Sequence, residues 1–222
     1  MPMARKRHTS WKMAELYSVN VGLPRPIDTP SGPVLSGIFK RSTDKRVRVR
    51  GYNLVGDGQA DLSVHGGENK AVYGYPREHY RTWASELGRD DLQPGQFGEN
   101  LTTEGLLETD VLIGDVFRIG SARLQVSQPR SPCFKLGIRM GDPKFVRTFL
   151  QSGRPGFYFR IVEEGALGAG DPMELIERGE TGISVYELWD LSFGTADDPE
   201  RRALAITIPT LGPEWRNALG KG

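Results

Sequence analysis

Cysteine is almost absent from the sequence, long apolar runs are absent altogether, and neither sign of charge prevails. The one cysteine, Cys133, cannot form an internal disulfide, and no cluster of cysteines and histidines indicates a structural zinc site. The 29 Lys and Arg against 28 Asp and Glu give a net charge of +1, which creates no overall field towards nucleic acid or an acidic membrane. No stretch approaches the roughly 20 apolar residues of a membrane span. We therefore expect a cytoplasmic protein with neither nucleic acid nor a membrane as partner.

The chain is long enough to bury a core of its own. Its 222 residues are 37% hydrophobic and 26% charged, which is typical of one main globular domain. The basic start, Arg5-Lys6-Arg7, leads into polar residues instead of an apolar run, so it does not resemble a secretory signal. We expect residues 1–14 to form a flexible N-terminal extension.

Short segments rich in β-branched residues predict a mainly β fold. Pairs of Gly and Asp precede two of them, at Gly114-Asp115 and Gly170-Asp171, and predict tight turns. Many short strands joined by such turns are typical of a closed β-barrel, which we expect to span residues 15–180. The predicted strands are Leu16–Val21, Val34–Phe39, Val47–Leu54, Ala71–Tyr75, Val116–Ile119, Ala122–Ser127, Phe157–Val162 and Met173–Ile176.

Two helices are predicted to cap the barrel. Pro76–Leu87 and Pro143–Leu150 each carry a proline near the start and apolar residues at helical spacing. From about Ile183 the chain changes to short amphipathic segments, which predict a C-terminal appendage of three helices over residues 183–222. Helices this short are marginal alone, so we expect them to pack against the barrel or, in a homodimer, against a second copy of the chain. The three segments are Ser184–Leu191, Asp198–Ile206 and Gly212–Leu219.

The segment around Cys133 is the most informative part of the chain. It reads Gln128-Pro129-Arg130-Ser131-Pro132-Cys133-Phe134-Lys135. A lone cysteine is most often a small buried apolar side chain. In this segment, however, two prolines exclude regular strand and helix hydrogen bonding, which places the cysteine on a stiff loop after a strand. The charges of Arg130 and Lys135 favour its thiolate, which is both a nucleophile and a soft metal ligand. The residues themselves leave persulfide chemistry and a soft transition metal open.

Two further segments carry polar side chains beside glycines. In His65-Gly66-Gly67-Glu68-Asn69-Lys70 the glycines allow a ligand close to the backbone, and His65 and Lys70 add hydrogen-bond donors for an anion. In Gly95-Gln96-Phe97-Gly98-Glu99-Asn100-Leu101 the side chain of Glu99 places a carboxylate beside the start of a strand. An ordinary turn also explains either segment, so neither indicates a particular chemistry by itself.

Taken together and in this order, these segments resemble the MOSC family, the molybdenum cofactor sulfurase C-terminal domain, and most closely its bacterial YiiM-like branch. The resemblance runs from about Pro33 through the three-helix tail and leaves only the N-terminal extension outside. The stretches that carry it are Ser36-Gly37-Ile38, Gly56-Asp57-Gly58-Gln59-Ala60-Asp61 leading into His65-Gly66-Gly67, Phe97-Gly98-Glu99-Asn100-Leu101, Gln128-Pro129-Arg130 with Cys133 and Lys135, Leu136-Gly137-Ile138-Arg139, and Gly153-Arg154-Pro155-Gly156-Phe157-Tyr158.

The resemblance implies a closed β-barrel similar to that of pyruvate kinase and a molybdenum cofactor, in which the dithiolene of an anionic pterin binds the metal. It also implies that Cys133 is the protein ligand to molybdenum. YiiM-like members are similar to the mitochondrial amidoxime-reducing enzymes in reducing small N-hydroxylated compounds such as 6-hydroxylaminopurine and amidoximes. A soft thiolate and fixed cations suit such a cofactor. The residues that the resemblance places around the cofactor are His65, Gly66, Gly67, Lys70, Gln128, Arg130 and Lys135.

The implied activity is a two-electron reduction of an N–OH group, with His65 or Glu99 as a proton relay beside Cys133. No segment resembles a flavin, haem or iron–sulfur site, so we expect a separate reductase to supply the electrons. Two alternatives stay open. One is a sulfur carrier or sulfurtransferase with a persulfide on Cys133, received from a pyridoxal-phosphate-dependent desulfurase. The other is a non-catalytic module that binds or delivers the cofactor.

Overall fold

Short strands dominate the fold, as predicted. The computed structural model describes residues 14–60 and 66–220, so the predicted N-terminal extension lies outside the described residues apart from Ala14. The strands are β1 (Glu15–Val21), β2 (Arg25–Ile27), β3 (Val34–Ser36), β4 (Arg41–Thr43), β5 (Val47–Arg50), β6 (Asn53–Leu54), β7 (Val72–Pro76), β8 (Leu101–Glu104), β9 (Val116–Ile119), β10 (Ala122–Pro129), β11 (Phe157–Glu163), β12 (Gly165–Leu167) and β13 (Met173–Glu177). The helices are α1 (Glu78–Leu87), α2 (Phe134–Met140), α3 (Phe145–Gln151), α4 (Val185–Phe193), α5 (Pro199–Ile206) and α6 (Pro213–Leu219), with a 3-10 helix at Glu68–Lys70.

Alternation of apolar and polar residues accounts for the strands that the sequence predicts. In β5, Val47 and Val49 are buried while Arg48 and Arg50 face solvent, because successive side chains of a strand point to opposite faces. The sequence does not predict β2, β4 or β12, each of which is only three residues long, whereas the strand start expected beside Glu99 is that of β8. Beside the large sheet, β12, β5 and β6 form a three-stranded sheet, and β2 pairs with β3.

Both predicted Gly-Asp turns are confirmed. Gly114 and Gly170 have φ of 95° and 85°, a backbone conformation that side chains rarely adopt. The Asp115 carboxylate accepts the backbone N–H of Leu112 at 2.8 Å, and that of Asp171 accepts the N–H of Gly168 at 2.9 Å. The aspartates therefore stabilise the turns by closing hydrogen bonds across them.

The large sheet is open, and the predicted closed β-barrel is wrong. Its eight strands are hydrogen bonded in the order β13-β9-β10-β11-β7-β8-β1-β4, and within the described residues no ladder joins β13 to β4. The reason lies in β1, whose outer edge is divided between two neighbours. Residues 19–21 pair with β4, whereas Glu15 forms only an isolated bridge to Pro172, ahead of β13. A barrel needs a continuous ladder at this edge, and two partial contacts do not provide one.

Both predicted capping helices are present, as α1 and α3, and the unpredicted α2 lies between β10 and α3. The rings of Trp83 in α1 and Phe149 in α3 stack with their centroids 6.0 Å apart and their planes 8° apart. Phe97 lies 6.2 Å from each of them. With Tyr73, Tyr75 and other apolar residues they form a second core beside the main one. This aromatic core fixes the segment around Phe97, whose neighbours line a cleft in the protein surface.

The C-terminal helices α4, α5 and α6 occupy the predicted places. Ser184 caps α4 by accepting the backbone N–H of Glu187 at 3.0 Å, and Asp198 caps α5 by accepting that of Arg201 at 2.9 Å. Trp215 and other apolar residues of these helices are buried in the same core as the sheet, so the tail packs on the sheet. The domain boundary and a homodimer stay predictions. No helix in the described ranges is long and apolar enough to cross a membrane.

A glycine beside the cleft provides a test of this packing. Gly98 and Gly88 both adopt left-handed conformations, with φ of 81° and 61°. A Cβ at Gly98 would lie 2.8 Å from Cγ1 of Ile38, whereas a Cβ at Gly88 would meet nothing within 4 Å. Gly98→Ala should therefore lower the free energy of unfolding more than Gly88→Ala does, by about 1–3 kcal/mol for the overpacked contact. Urea unfolding of both variants measures the difference, and equal losses would contradict the contact.

Candidate functional site

A cleft of about 610 Å³, counted with the solvent space at its mouth, collects residues that lie far apart in the sequence. Loops and strand ends from both halves of the chain form its wall, including Ser36, Gly98 and Tyr158. Charged and reactive side chains are concentrated there, which is the usual composition of a small-molecule site with convergent polar groups. They are Lys40, Asp57, Lys70, Arg130, Cys133 and Lys135.

Cys133 reaches the cleft from the junction between β10 and α2. Its backbone is extended, with φ of −121° and ψ of 170°, and it is the residue that immediately precedes the first turn of α2. The carbonyl of Cys133 accepts the N–H of Leu136 at 2.9 Å. The prolines place it just after a strand, as predicted, but the chain then turns at once into a helix instead of continuing as a loop. Cys133 is partly exposed and ends the short loop that joins these two regular elements.

Arg130 is a buried cation on the same wall. Its guanidinium lies 4.9 Å from the ring centroid of Tyr73 and 5.4 Å from that of Phe149. Burial acts to lower the pKa of Arg130, but Tyr73, Tyr158 and Cys133 outweigh it electrostatically and raise the pKa, so the group stays charged. Within the described residues its Nη1 atom has no hydrogen-bond partner. A buried, charged N–H donor without an acceptor lowers the stability of the fold, and a bound anion would supply the missing acceptor.

The tyrosines around Arg130 remain neutral donors. Burial raises the pKa of Tyr158, and the charge of Arg130 acts in the opposite direction. Burial likewise raises the pKa of Tyr73 well above its ordinary value, and the Tyr73 hydroxyl donates to the carbonyl of Pro155 at 2.8 Å. Both phenols therefore line the cleft without adding charge to it.

Lys40 and Asp57 form a buried ion pair that the sequence analysis missed. Their side chains are 8% and 1% exposed, and the ammonium bonds directly to Oδ1 of Asp57. Asp57 also accepts the backbone N–H of Gly22 at 2.9 Å and the side-chain amide of Asn100 at 2.8 Å. Burial lowers the pKa of Lys40, and Asp57 opposes that shift. Asp57 falls within the motif that carries the family resemblance, whereas Lys40 lies two residues after one and no local pattern marks it.

The glycine segment supplies one cleft residue in the described part of the chain. Lys70 ends the 3-10 helix and lines the cleft, and its ammonium lies 2.7 Å from Oε2 of Glu214. Gly67 precedes that helix with φ of 90°, and Gly66 lies beside it, but neither lines the cleft. His65 lies outside the described residues, so its roles in binding and proton relay stay predictions.

Gln128 and Glu99 are buried behind the wall and do not belong to the lining of the cleft. Gln128 donates to Oε1 of Glu214 at 2.8 Å. Glu99 accepts the backbone N–H of Gly95 at 2.7 Å and the hydroxyls of Thr102, at 2.8 Å, and Tyr80. The residues on either side of Glu99 do line the cleft. The site roles of Gln128 and Glu99 therefore stay predictions.

The protein offers a metal few ligands of its own. In the ranges 14–60 and 66–220, no group of three His, Cys, Asp or Glu side chains is placed to hold a metal ion. A metal beside Cys133 would therefore need ligands from an organic group. Lys135 and Arg130 line the same cleft, and cations of this type bind the anionic parts of such a group.

Comparison with known proteins identifies the family. Residues 61–174 match the MOSC domain. The chain is 42% identical over 206 residues to YflK of Bacillus subtilis, which covers 93% of each protein. It is 37% identical over 150 residues to a protein of Gibberella moniliformis named Reductase, covering 66% of this chain and 27% of that protein. The crystal structure of YiiM from Geobacillus stearothermophilus has a TM-score of 0.77 at 33% identity, covering 94% of this chain and 98% of that one.

The chain therefore belongs to the MOSC domain family, whose members are generally associated with the molybdenum cofactor. Within that family it is YiiM-like, because the similarity extends over nearly the full length of YiiM and the C-terminal helices are present.

The titration of Glu99 provides a test of its environment. Burial raises the pKa of Glu99, against the hydrogen bonds from Tyr80 and Gly95. Between the unfolded value of about 4.3 and the higher folded value, the folded chain keeps a proton that the unfolded chain has released, so stability falls as the pH rises. The free energy of unfolding of wild type minus that of Glu99→Gln should therefore fall as the pH rises through this window.

Urea unfolding between pH 4 and pH 8 measures that difference, with Glu180→Gln at an exposed site as the control for loss of a charge. A difference that grows with pH would show that the fold favours the carboxylate form of Glu99 and would contradict a raised pKa.

Proposed function

We propose that this protein binds a molybdenum cofactor in the cleft, with Cys133 as the protein ligand to the metal, and that it reduces small N-hydroxylated compounds. The observation that carries the proposal is the meeting of Cys133 with the buried cation Arg130 in one cleft. A thiolate is the soft ligand that molybdenum accepts, and an anionic pterin needs fixed donors. The matched relative named Reductase supports the reaction class.

The residues present fit such a group. Nη1 of Arg130 is buried without a partner among the described residues, so an anionic ligand would supply the acceptor that those residues do not. Lys135 and Lys70 add cations to the lining of the same cleft, and Cys133, which also lines it, is partly exposed. Arg130 and the two lysines would hold the anionic parts of the cofactor, and Cys133 would hold the metal.

When bound, the cofactor would supply the electron pair that reduces the N–OH group. Formation of an amine and water from that group also consumes a pair of protons. The ammonium of Lys40 lines the cleft, and its contact with Asp57 fixes the position of Nζ. Burial lowers the pKa of Lys40, which makes the ammonium a better proton donor than an exposed lysine. Lys40 is therefore placed to deliver a proton from Nζ, with His65 and Glu99 as further predicted relays.

The electrons would come from a separate reductase, because no segment of the sequence resembles a flavin, haem or iron–sulfur site. A two-electron reduction without a resident electron source needs such a partner. The physiological donor would have to approach the cleft from its open side.

Replacement of Cys133 tests the metal ligand. Protein from a molybdenum-competent host should contain stoichiometric molybdenum and should reduce an amidoxime with a chemical electron donor. Cys133→Ser should lose both, because a hydroxyl is a poor replacement for a soft thiolate. Ser131→Ala, at an exposed position in the same segment, serves as the control and should keep both. Elemental analysis and an amine assay measure the two properties.

The outcomes separate three functions that share this cysteine. A cyanide-labile sulfur on Cys133 without molybdenum would contradict the reductase and favour a sulfur carrier. Bound molybdenum without turnover, in the presence of a competent electron source, would contradict the activity and favour a cofactor-binding module.

Replacement of Arg130 tests the anion site separately. Arg130→Gln should lower the affinity for the cofactor roughly 10- to 100-fold, as loss of a partner in the surroundings of a metal site typically does. Arg147→Gln, at an exposed position on α3, is the matched control and should leave it unchanged. Molybdenum retained after repeated gel filtration measures the loss, and equal retention in the two variants would contradict a role for Arg130.

A further inference from the structure

Glu214, near the start of the C-terminal helix α6, contacts one of the residues that line the cleft. Oε2 of Glu214 lies 2.7 Å from Nζ of Lys70, and Oε1 accepts the Nε2–H of Gln128 at 2.8 Å. Glu214 thus joins a cleft residue to a fully buried residue of β10. It lies outside residues 61–174, the part of the chain that matches the MOSC domain.

The helix that carries Glu214 is firmly placed. The next residue, Trp215, is 3% exposed, and its ring lies 6.1 Å from that of Trp189 and 5.5 Å from that of Phe193. At the start of the helix, a Cβ on Gly212 would lie only 2.3 Å from Oε1 of Gln128. Packing of the backbone and of the side chains therefore holds the start of α6 against β10. The backbone position from which the Glu214 side chain extends is fixed as a result.

We propose that Glu214 is a positioning residue of the cleft, which holds the Lys70 ammonium where it meets an anionic group of the bound cofactor. This inference rests on the proposed function for the identity of the ligand. Lysine has a flexible stem with a high rotamer entropy, so an ammonium without a fixed partner meets an anion less well. An ammonium carries three donor hydrogens, so one fixed carboxylate orients the group without excluding further contacts.

The exposure of the Lys70 and Glu214 side chains sets the expected effect of Glu214→Gln on cofactor retention. The Lys70 side chain is 16% exposed and that of Glu214 is 48% exposed, so water screens the pair in part. Glu214→Gln also leaves a single side-chain oxygen to accept hydrogen bonds where the carboxylate offers one to Lys70 and one to Gln128. We expect Glu214→Gln to shorten the retention of the cofactor about fivefold, which is the upper end for a partly exposed pair.

A double-mutant cycle tests whether Glu214 acts through Lys70. Molybdenum and pterin retained during dialysis are measured in wild type, Glu214→Gln, Lys70→Gln and the double variant. Glu214→Gln should cause no further loss in the Lys70→Gln background, because residues that act as a unit are not additive. Additive losses, or tighter retention in Glu214→Gln, would overturn the proposal.

Glu200→Gln is the matched control. Like Glu214, Glu200 follows the proline that begins its helix, so both changes remove the same favourable charge near a helix N-terminus. Glu200 is exposed, and its replacement should leave retention unchanged. A loss as large as that in Glu214→Gln would show a general effect of helix charge and would overturn the positioning role.

A cofactor-free measurement keeps the two proposals distinguishable. In ¹⁵N NMR of lysine ammonium groups, a held ammonium exchanges slowly enough to be seen, and Lys70→Gln identifies the signal of Lys70. That signal should weaken in Glu214→Gln, because the ammonium loses one fixed contact, and should stay unchanged in Glu200→Gln. An unchanged signal in Glu214→Gln would overturn the positioning role. A signal that depends on Glu214 in a wild-type protein that retains no molybdenum would support the positioning role and contradict the proposed cofactor.

Discussion

The carboxylate of Asp57 lies almost wholly out of water, and hydrogen bonds from three separate stretches of chain converge on it. Gly22, just after β1, donates its backbone N–H, Asn100, just before β8, donates its side-chain amide, and Lys40 contributes its ammonium. Removal of one partner from a buried ion pair typically costs about 3–5 kcal/mol, because the other charge is left without compensation. This one charge therefore fixes several segments of the cleft relative to one another.

The same network reaches the opposite wall. Oδ1 of Asn100 accepts the backbone N–H of Tyr73 at 3.1 Å, and the ring of Tyr73 lies under the guanidinium of Arg130. Asp57, Asn100, Tyr73 and Arg130 thus connect the Lys40 side of the cleft to the side that carries Cys133. The Lys40–Asp57 pair carries no net charge, so the buried guanidinium of Arg130 is the group that suits the cleft to an anionic ligand, because it is in place before the ligand arrives.

Local sequence predicted those parts of the site that lie close together along the chain. Arg130, Cys133 and Lys135 fall within one short segment, and the structure brings all three to the cleft. Lys40, just before β4, and Tyr158, in β11, could not be found in this way, because only the tertiary fold brings these two segments to the same cleft. The glycine segment was informative only as far as Lys70, since Gly66 and Gly67 do not line the cleft.

For the fold, too, the local sequence predicted single elements but not how they pair. Alternation of buried and exposed residues predicted strands such as β5, and Ser184 and Asp198 marked the starts of helices in the tail. The closed barrel was a wrong prediction because strand number and turn chemistry do not show how the edge of β1 is shared. Helix α2 was missed since it is only seven residues long, follows two prolines and contains Gly137, which local propensity disfavours in a helix.

The claim on which the proposed chemistry depends is that the sulfur of Cys133 binds molybdenum. X-ray absorption at the molybdenum edge, on protein purified from a molybdenum-competent host, counts the sulfur ligands of the metal directly. We expect one sulfur more than the two that the pterin dithiolene supplies, and Cys133 is the one cysteine of the chain that can provide it. A count equal to the two dithiolene sulfurs would contradict the assignment of Cys133 as the ligand.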